Sequence, residues 1–202
     1  MCIRDSYFRR SFGIGATIIP ATDDQLRTIV ETDIGDLSFQ EYFVRECCNP
    51  RIQNLYFQGS ESAFPQQALT RALKSKELQS IIFCPSNPLL SIDPILSIQG
   101  LKKAFADSGA KIVAVTPIVS GVAIKGPAAK NLRELGYPVS ATTVAKRYQG
   151  MIHGFIVDKR DRQEAQQIEE LGIAVLVADT IMNDLETKIQ LAEKTLRFAN
   201  SI

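Results

Sequence analysis

Two stretches of this 202-residue sequence carry residue types suited to phosphate chemistry. The first is Pro85-Ser86-Asn87-Pro88, followed by Leu89-Leu90-Ser91-Ile92-Asp93-Pro94. Two prolines fix the backbone on either side of Ser86 and Asn87, so a hydroxyl and a carboxamide are held ready to hydrogen-bond phosphate or ribose oxygens. The same residues also suit a rigid loop entering the next helix, with Ser86 as a turn residue. The second stretch runs from Thr116-Pro117 through Ser120-Gly121 to Ile124-Lys125-Gly126-Pro127-Ala128-Ala129-Lys130. Gly121 and Gly126 permit close backbone approach, Pro127 suits the first residue of a helix, and Lys125 adds a cation beside that helix start. Together they form a plausible oligophosphate cradle. They do not form a P-loop, because Gly126 is followed by Pro127 rather than by Lys and Ser or Thr. The dinucleotide fingerprint G-x-G-x-x-G is absent too, and a helix stop explains Gly13-Ile14-Gly15 better.

Other chemistry-bearing residues have simpler explanations. Asp23-Asp24 is a paired carboxylate within reach of a Mg²⁺ ion, but an Asx turn between two strands accounts for it more simply. Asp161-Arg162-Gln163-Glu164 has the spacing of a capping box with Asp161 as the cap. Asp158 ends an apolar run, where it would face a crevice. His153 has no Cys, Asp or Ser partner at an assignable spacing and reads as a structural histidine. Cys84 reads as a small buried hydrophobe.

These residues need elements to position them. From Ser80 onward, short apolar runs at Ile81 to Cys84, Ile112 to Thr116, Phe155 to Val157 and Ala174 to Ala178 read as buried parallel strands. Helical segments lie between them, at Gly100 to Ser108, Ala128 to Leu135, Thr142 to Tyr148 and Gln163 to Leu171. A last helix, Asp184 to Ala199, places Leu185, Ile189, Ala192, Leu196 and Ala199 on one stripe. This alternation predicts an α/β fold: a parallel, Rossmann-like sheet in three layers with helices on both faces. In such a sheet ligands bind beyond the carboxyl ends of the strands, where both phosphate-suited loops fall. Upstream, Tyr7 to Phe12 reads as the tail of a helix stopped at Gly13. Ala16 to Pro20, Leu26 to Thr32 and Ile52 to Phe57 read as strands, Phe39 to Glu46 as helix or strand, and Pro65 opens another helix. The chain is therefore one domain, 1–202, with a small β-rich segment at 14–64 and a βαβ nucleotide-binding core at 65–202.

Composition narrows the function classes. Lys and Arg number 23 against 22 Asp and Glu, so no global field draws the chain to nucleic acid or to an anionic membrane. One histidine excludes multi-histidine metal centres. The four cysteines form no C-x-x-C pair and read as reduced thiols of a cytoplasmic protein. No apolar run is long enough to span a bilayer, and Met1 to Arg10 lacks the apolar region of a signal peptide.

The two loops, in their order, carry a family resemblance. Cys84-Pro85-Ser86-Asn87-Pro88 with Ser91-Ile92-Asp93-Pro94, then Thr116-Pro117-Ile118-Val119 and Ile124-Lys125-Gly126-Pro127-Ala128-Ala129-Lys130, resemble the 2-phospho-L-lactate transferase (CofD) family. The likeness continues through Glu134-Leu135-Gly136, Ser140-Ala141, Val157-Asp158 and Asp179-Thr180, and covers nearly all the chain after Phe12. It implies a transferase of coenzyme F420 biosynthesis. Such an enzyme moves a phospho-lactyl or phosphoenolpyruvyl group from a guanosine-diphospho-linked three-carbon acid to the deazaflavin Fo, releasing GMP with Mg²⁺ present. On that reading Ser86, Asn87, Pro88, Thr116, Gly121, Lys125 and Gly126 surround the nucleotide, with Asp93 and Thr180 as further candidates. Packing accounts for Met182 as well as a nucleotide does. Asp23 and Asp24 are the only candidate metal ligands.

One departure stands beside the match. The resemblance implies an opening strand and glycine-rich loop of the Gly-Gly-Thr-Gly type, and Met1 to Phe12 resembles neither. The expectation is a chain corresponding to the C-terminal two-thirds of a family member, with Met1 to Ser6 a non-native start and an alternative function as a catalytically incomplete nucleotide-binding fragment. An unpartnered N-terminal edge would favour a homodimer.

Overall fold

The computed structural model describes Tyr7 and residues 9–202. Met1 to Ser6, with the expected non-native start, and Phe8 lie outside the described residues. The chain is helical at Arg9 to Ser11 and turns out of the helix at Gly13, whose φ of +61° is left-handed.

Three antiparallel strands follow: β1 (Arg27–Thr32), β2 (Gly35–Ser38) and β3 (Ile52–Gln58), in the spatial order β2-β1-β3. Strand β2 is not evident from sequence because its Gly35-Asp36 start lacks β-branched residues; Thr32 pairs with Gly35 around Asp33-Ile34. Ala16 to Pro20, despite its β-branched residues, forms no strand. Phe39 to Glu46 resolves to a single helical turn, Glu41–Arg45.

The main sheet is wholly parallel, with β4 (Ser80–Phe83), β5 (Lys111–Val115), β8 (Gly154–Asp158) and β9 (Ala174–Ala178) in the order β4-β5-β8-β9. A two-stranded hairpin, β6 (Ile118–Val119) and β7 (Val122–Ala123), projects after β5. Alternate residues feed two cores, as the pleat requires. Phe83, Ile112, Ala114, Phe155 and Val157 point to one face, into a large core. That face is covered by α1 (Gln67–Leu73), α3 (Leu101–Asp107), α4 (Ala128–Glu134), α5 (Ala141–Arg147) and α6 (Ala165–Glu169), with the short α2 (Asp93–Leu96) between α1 and α3 in sequence. Strands added in one direction by right-handed crossovers must place their helices on one side, and these do. Val113, Val115, Ile156 and Ala178 point to the other face, which α7 (Leu185–Ser201) covers with Leu191 and Ala199.

Helix α7 departs from the expected stripe. Its buried residues are Leu191, Thr195 and Ala199, whereas Leu185, Ile189 and Leu196 are 71%, 49% and 51% exposed. At 100° per residue the second set lies about a quarter turn from the first. Asp184 caps this helix, accepting from Thr187 N at 2.8 Å while Thr187 Oγ1 accepts from Asp184 N.

His153 is the structural residue expected. Its Nδ1 accepts a hydrogen bond from Ile112 N at 3.0 Å, tying the start of β8 to β5. Burial, and then the Lys111 ammonium, hold its imidazole below the ordinary histidine range. An acceptor nitrogen must be unprotonated, so the unfolded chain binds the proton more readily. Stability is therefore expected to be fully present above the ordinary histidine value of about 6.5 and to fall as the pH drops through it. Urea unfolding followed between pH 7.5 and 5.5 checks this. A His153→Asn variant should flatten the dependence, and an unchanged slope would refute the assignment.

Candidate active site at the carboxyl ends of the parallel strands

The loops after β4, β5 and β9 converge at one end of the sheet. A cavity of about 160 Å³ lies there, walled by Pro85 from the first loop, Thr116, Pro117 and Lys125 from the second, Thr180 and Met182 from the third, and Lys188 from α7. Larger openings exist elsewhere. One of about 540 Å³ lies between α1 and α3, where Leu73 and Asp107 precede the amino ends of β4 and β5, away from these loops. The cavity at the carboxyl ends is favoured because a parallel sheet exposes its variable loops and free backbone groups there.

The structure brings Thr116, Lys125 and Thr180 together around this cavity. Thr116 is buried, and its hydroxyl both donates to Ile118 O at 2.8 Å and accepts from Ile118 N at 3.1 Å, which turns the chain sharply out of β5. Thr180 is buried as well, with its N–H and hydroxyl both donating to Asp158 Oδ2 at 2.9 Å. Asp158 is fully buried, and its other oxygen accepts from Arg160 N at 3.0 Å. It is spent on fixing the third loop rather than facing the crevice.

Lys125 is exposed on the cavity wall. Among the described residues neither Lys125 nor Lys188 is engaged in a salt bridge. Lys188 was not singled out in the sequence because it sits in an amphipathic helix among other charges. Its only signal is its place in the first turn after Asp184, close to the end of β9.

Other expected residues are placed apart. Gly121 and Ser120 form the tip of the β6–β7 hairpin with φ of +71° and +51°, the left-handed pair that a two-residue hairpin turn demands. Ser120 N donates to Asp161 Oδ2 at 2.8 Å. Gly126 is exposed with φ +71°, and Pro127 stands just before the helix rather than within it. Asn87 precedes the turn Pro88–Ile92, and its Oδ1 accepts from Leu89 N and Leu90 N at 3.0 and 3.2 Å. Its Nδ2 is buried without a partner. Pro88, the first residue of that turn, is buried, and Ser86 is half-buried, its N–H donating to Cys84 O.

Asp93 forms an ion pair with Arg147, with Arg147 Nε 2.7 Å from Asp93 Oδ2. The pair lines a separate cavity of about 300 Å³ with Gln53, Asn54 and Tyr137. The pattern Asp161 to Glu164 is not a capping box. Asp161 takes the Ser120 bond, and Glu164 accepts from Thr142 N at 2.7 Å and Thr142 Oγ1 at 2.6 Å, so both acids fasten distant elements. Cys84 is exposed, not buried.

Asp23 and Asp24 lie in an exposed turn, where Asp24 N donates to Thr22 Oγ1 at 3.0 Å and Asp24 Oδ2 accepts from Phe64 N at 2.8 Å. Among the described residues no three His, Cys, Asp or Glu side chains converge to hold a metal ion. Asp158 and Asp161 are engaged by backbone donors and Asp179 by Lys159, so the residues described do not fit a protein-held magnesium site. Among the described residues no helix is long and apolar enough to cross a membrane.

One further network supports the site from behind. Lys130 Nζ donates to Pro50 O at 2.8 Å and to Glu134 Oε2 at 2.7 Å, and that same oxygen accepts from Ile52 N at 3.0 Å. Helix α4, which follows Lys125 in the chain, is thereby fastened to the start of β3.

Sequence comparisons with known proteins point to one family. The family model described as 2-phospho-L-lactate transferase CofD matches residues 6–196. The 2-phospho-L-lactate transferase of Methanococcoides burtonii is 34% identical over 190 residues, covering 94% of this chain and 61% of that protein. That of Methanocaldococcus jannaschii is 33% identical, covering 95% and 61%. The phosphoenolpyruvate transferase of Streptomyces griseus is 32% identical, covering 93% and 60%. This chain thus spans about three fifths of the length of these curated relatives. A crystal structure of a UPF0052 family member from Bacillus halodurans shares the fold, with a TM-score of 0.60 over 93% of this chain and 64% of that one, at 12% identity. With a family model matching almost end to end, the chain belongs to the 2-phospho-L-lactate transferase CofD family.

Proposed function

We propose that this chain supplies the nucleotide-facing wall of a transferase of coenzyme F420 biosynthesis. The donor is a guanosine-diphospho-linked three-carbon acid, and the acceptor is the terminal hydroxyl of the deazaflavin Fo. In the transfer the hydroxyl oxygen forms a bond to the phosphorus bearing the acid, the bond from that phosphorus to the bridging oxygen breaks, GMP leaves with the electron pair, and the hydroxyl proton passes to the leaving phosphate or to solvent. Such a reaction asks the protein mainly to position the groups and to absorb charge on phosphate oxygens.

The observation that carries this reading is the cavity beyond the parallel strands, where Lys125 and Lys188 present two ammonium groups free of salt bridges among the described residues. Asn87 stands two residues after the lining residue Pro85, outside the cavity wall itself, and keeps a buried Nδ2 without a partner among the described residues. Magnesium, implied by the family, finds no ligand set among the described residues, and no step here is routed through it.

Calorimetric titration with GDP tests the proposal. Lys125→Ala is expected to weaken binding roughly tenfold, a loss of about 1.4 kcal/mol, and Lys188→Ala to act in the same direction. Asn87→Ala also removes a cap worth about 1 kcal/mol, so it must be read against its own stability. Unchanged affinity in Lys125→Ala would sink the assignment. A second reading, a nucleotide-binding unit without turnover, is favoured by the three-fifths coverage. Product formed by the 202-residue chain from Fo and the activated acid would exclude it.

A further inference from the structure

The opening between α1 and α3 has no part in the site described above, since it lies at the amino ends of β4 and β5 and shares no wall residue with the cavity of Lys125 and Thr180. Its volume of about 540 Å³ falls within the roughly 300–1,000 Å³ of small-molecule sites. The floor is apolar, with Leu73 buried and Ala104 half-buried. The rim is cationic: Lys74 and Lys76 stand on the turn that leaves α1, and Lys103 lines the α3 side.

That rim offers donors in excess of acceptors. Among the described residues Lys74 and Lys76 take part in no salt bridge. Gln99 is engaged through its main-chain N–H, which donates to Ala63 O at 3.1 Å, and its carboxamide is uncommitted among the described residues. Ser75 Oγ accepts from Glu77 N at 3.2 Å and retains its own hydrogen to donate. Asp107 is the one carboxylate on the described wall, and it is paired with Lys103 at 3.0 Å. Both side chains of that pair are largely exposed, so the contact contributes little and yields to a competing anion. In a chain whose cations and anions nearly balance, an unneutralised set of ammonium groups above an apolar floor concentrates anions locally.

We infer that this opening binds a small polyanion, with its charge on phosphate or carboxylate oxygens, at a site separate from that of the transfer. Lys74 and Lys76 meet the charged oxygens, Ser75 and Gln99 add neutral hydrogen bonds, and Lys103 joins them when it turns from Asp107.

The test follows backbone amide shifts of the isotope-labelled 202-residue chain by NMR during titration with pyrophosphate and, separately, with citrate at low ionic strength. Saturable shifts are expected at Ser75, Lys76, Gly100 and Lys103 with at least one of the two, and the tighter anion identifies which oxygen chemistry the site takes. The double variant Lys74→Ala/Lys76→Ala should weaken that response about tenfold. Its thermal midpoint should stay unchanged, because both side chains are exposed. Asp107→Asn should instead tighten binding about threefold, since it removes the wall's carboxylate and releases Lys103. Lys125→Ala should leave the response of these amides as it was, which separates it from any anion held at the carboxyl ends. Shifts that are absent or fail to saturate with both anions, that persist undiminished in the double lysine variant, that weaken in Asp107→Asn or that vanish in Lys125→Ala would overturn the inference.

Discussion

Replacing Asp158 by alanine is expected to lower the unfolding free energy by about 3 kcal/mol or more, the largest loss foreseen for one residue near the cavity. The carboxylate is fully buried at the end of β8 and accepts from Arg160 N, Thr180 N and Thr180 Oγ1. Hydrogen bonds to a charged acceptor contribute about 1.5–3 kcal/mol each, and truncation would leave the largely buried Thr180 donors without their acceptor. Asp158→Asn should lose less, because one oxygen remains while the new amide faces a donor. Urea denaturation with constant m checks both variants, and a loss below about 1 kcal/mol in Asp158→Ala would show that the loop re-pairs its donors elsewhere. The alanine variant should also loosen Thr180, so nucleotide affinity and stability are expected to fall together.

Gly59→Ala is expected to destabilise by a comparable amount, about 3 kcal/mol, for a different reason. Gly59 follows β3 with φ +92°, and a Cβ built there would lie 2.2 Å from the backbone oxygen of Gln25. That oxygen belongs to the chain entering β1, where Arg27 pairs with Gln58, so relief would require the ladder itself to shift. Gly109→Ala provides the control: its φ is +68°, but a Cβ there meets nothing within 4 Å. It should lose only the left-handed backbone cost of about 1 kcal/mol. Equal losses in the two variants would remove the clash as the cause.

Much of the main sheet was legible because a parallel strand covered on both faces must be a short continuous apolar run, and Ile81 to Cys84, Ile112 to Thr116 and Ala174 to Ala178 are such runs. Thr116, Thr180 and Lys125 were legible for a related reason: ligands of open sheets gather where these runs end. What failed was any inference from local spacing about distant partners. Asp161 and Glu164 have the spacing of a cap, yet they bond Ser120 and Thr142, whose proximity only the tertiary fold creates. Gly121 is free to approach a ligand, but the same freedom serves a hairpin turn. On α7 two apolar stripes lie a quarter turn apart, and periodicity alone cannot say which one the sheet takes. Ala16 to Pro20 has strand-forming residues but no neighbour to pair with, and strand preference depends on such neighbours.

The bond between Lys130, Glu134 and the backbone at Pro50 and Ile52 has a thermodynamic consequence. Helix α4 has only seven residues and would not persist by itself. Its order depends on partners contributed by a strand about eighty positions earlier in the chain. Local opening of β3 at Ile52 therefore removes a support of α4, and with it the anchor of the loop that carries Lys125. The small sheet and one wall of the cavity form a single cooperative unit, so rigidity at Lys125 is a property of the antiparallel sheet as much as of the loop that bears it.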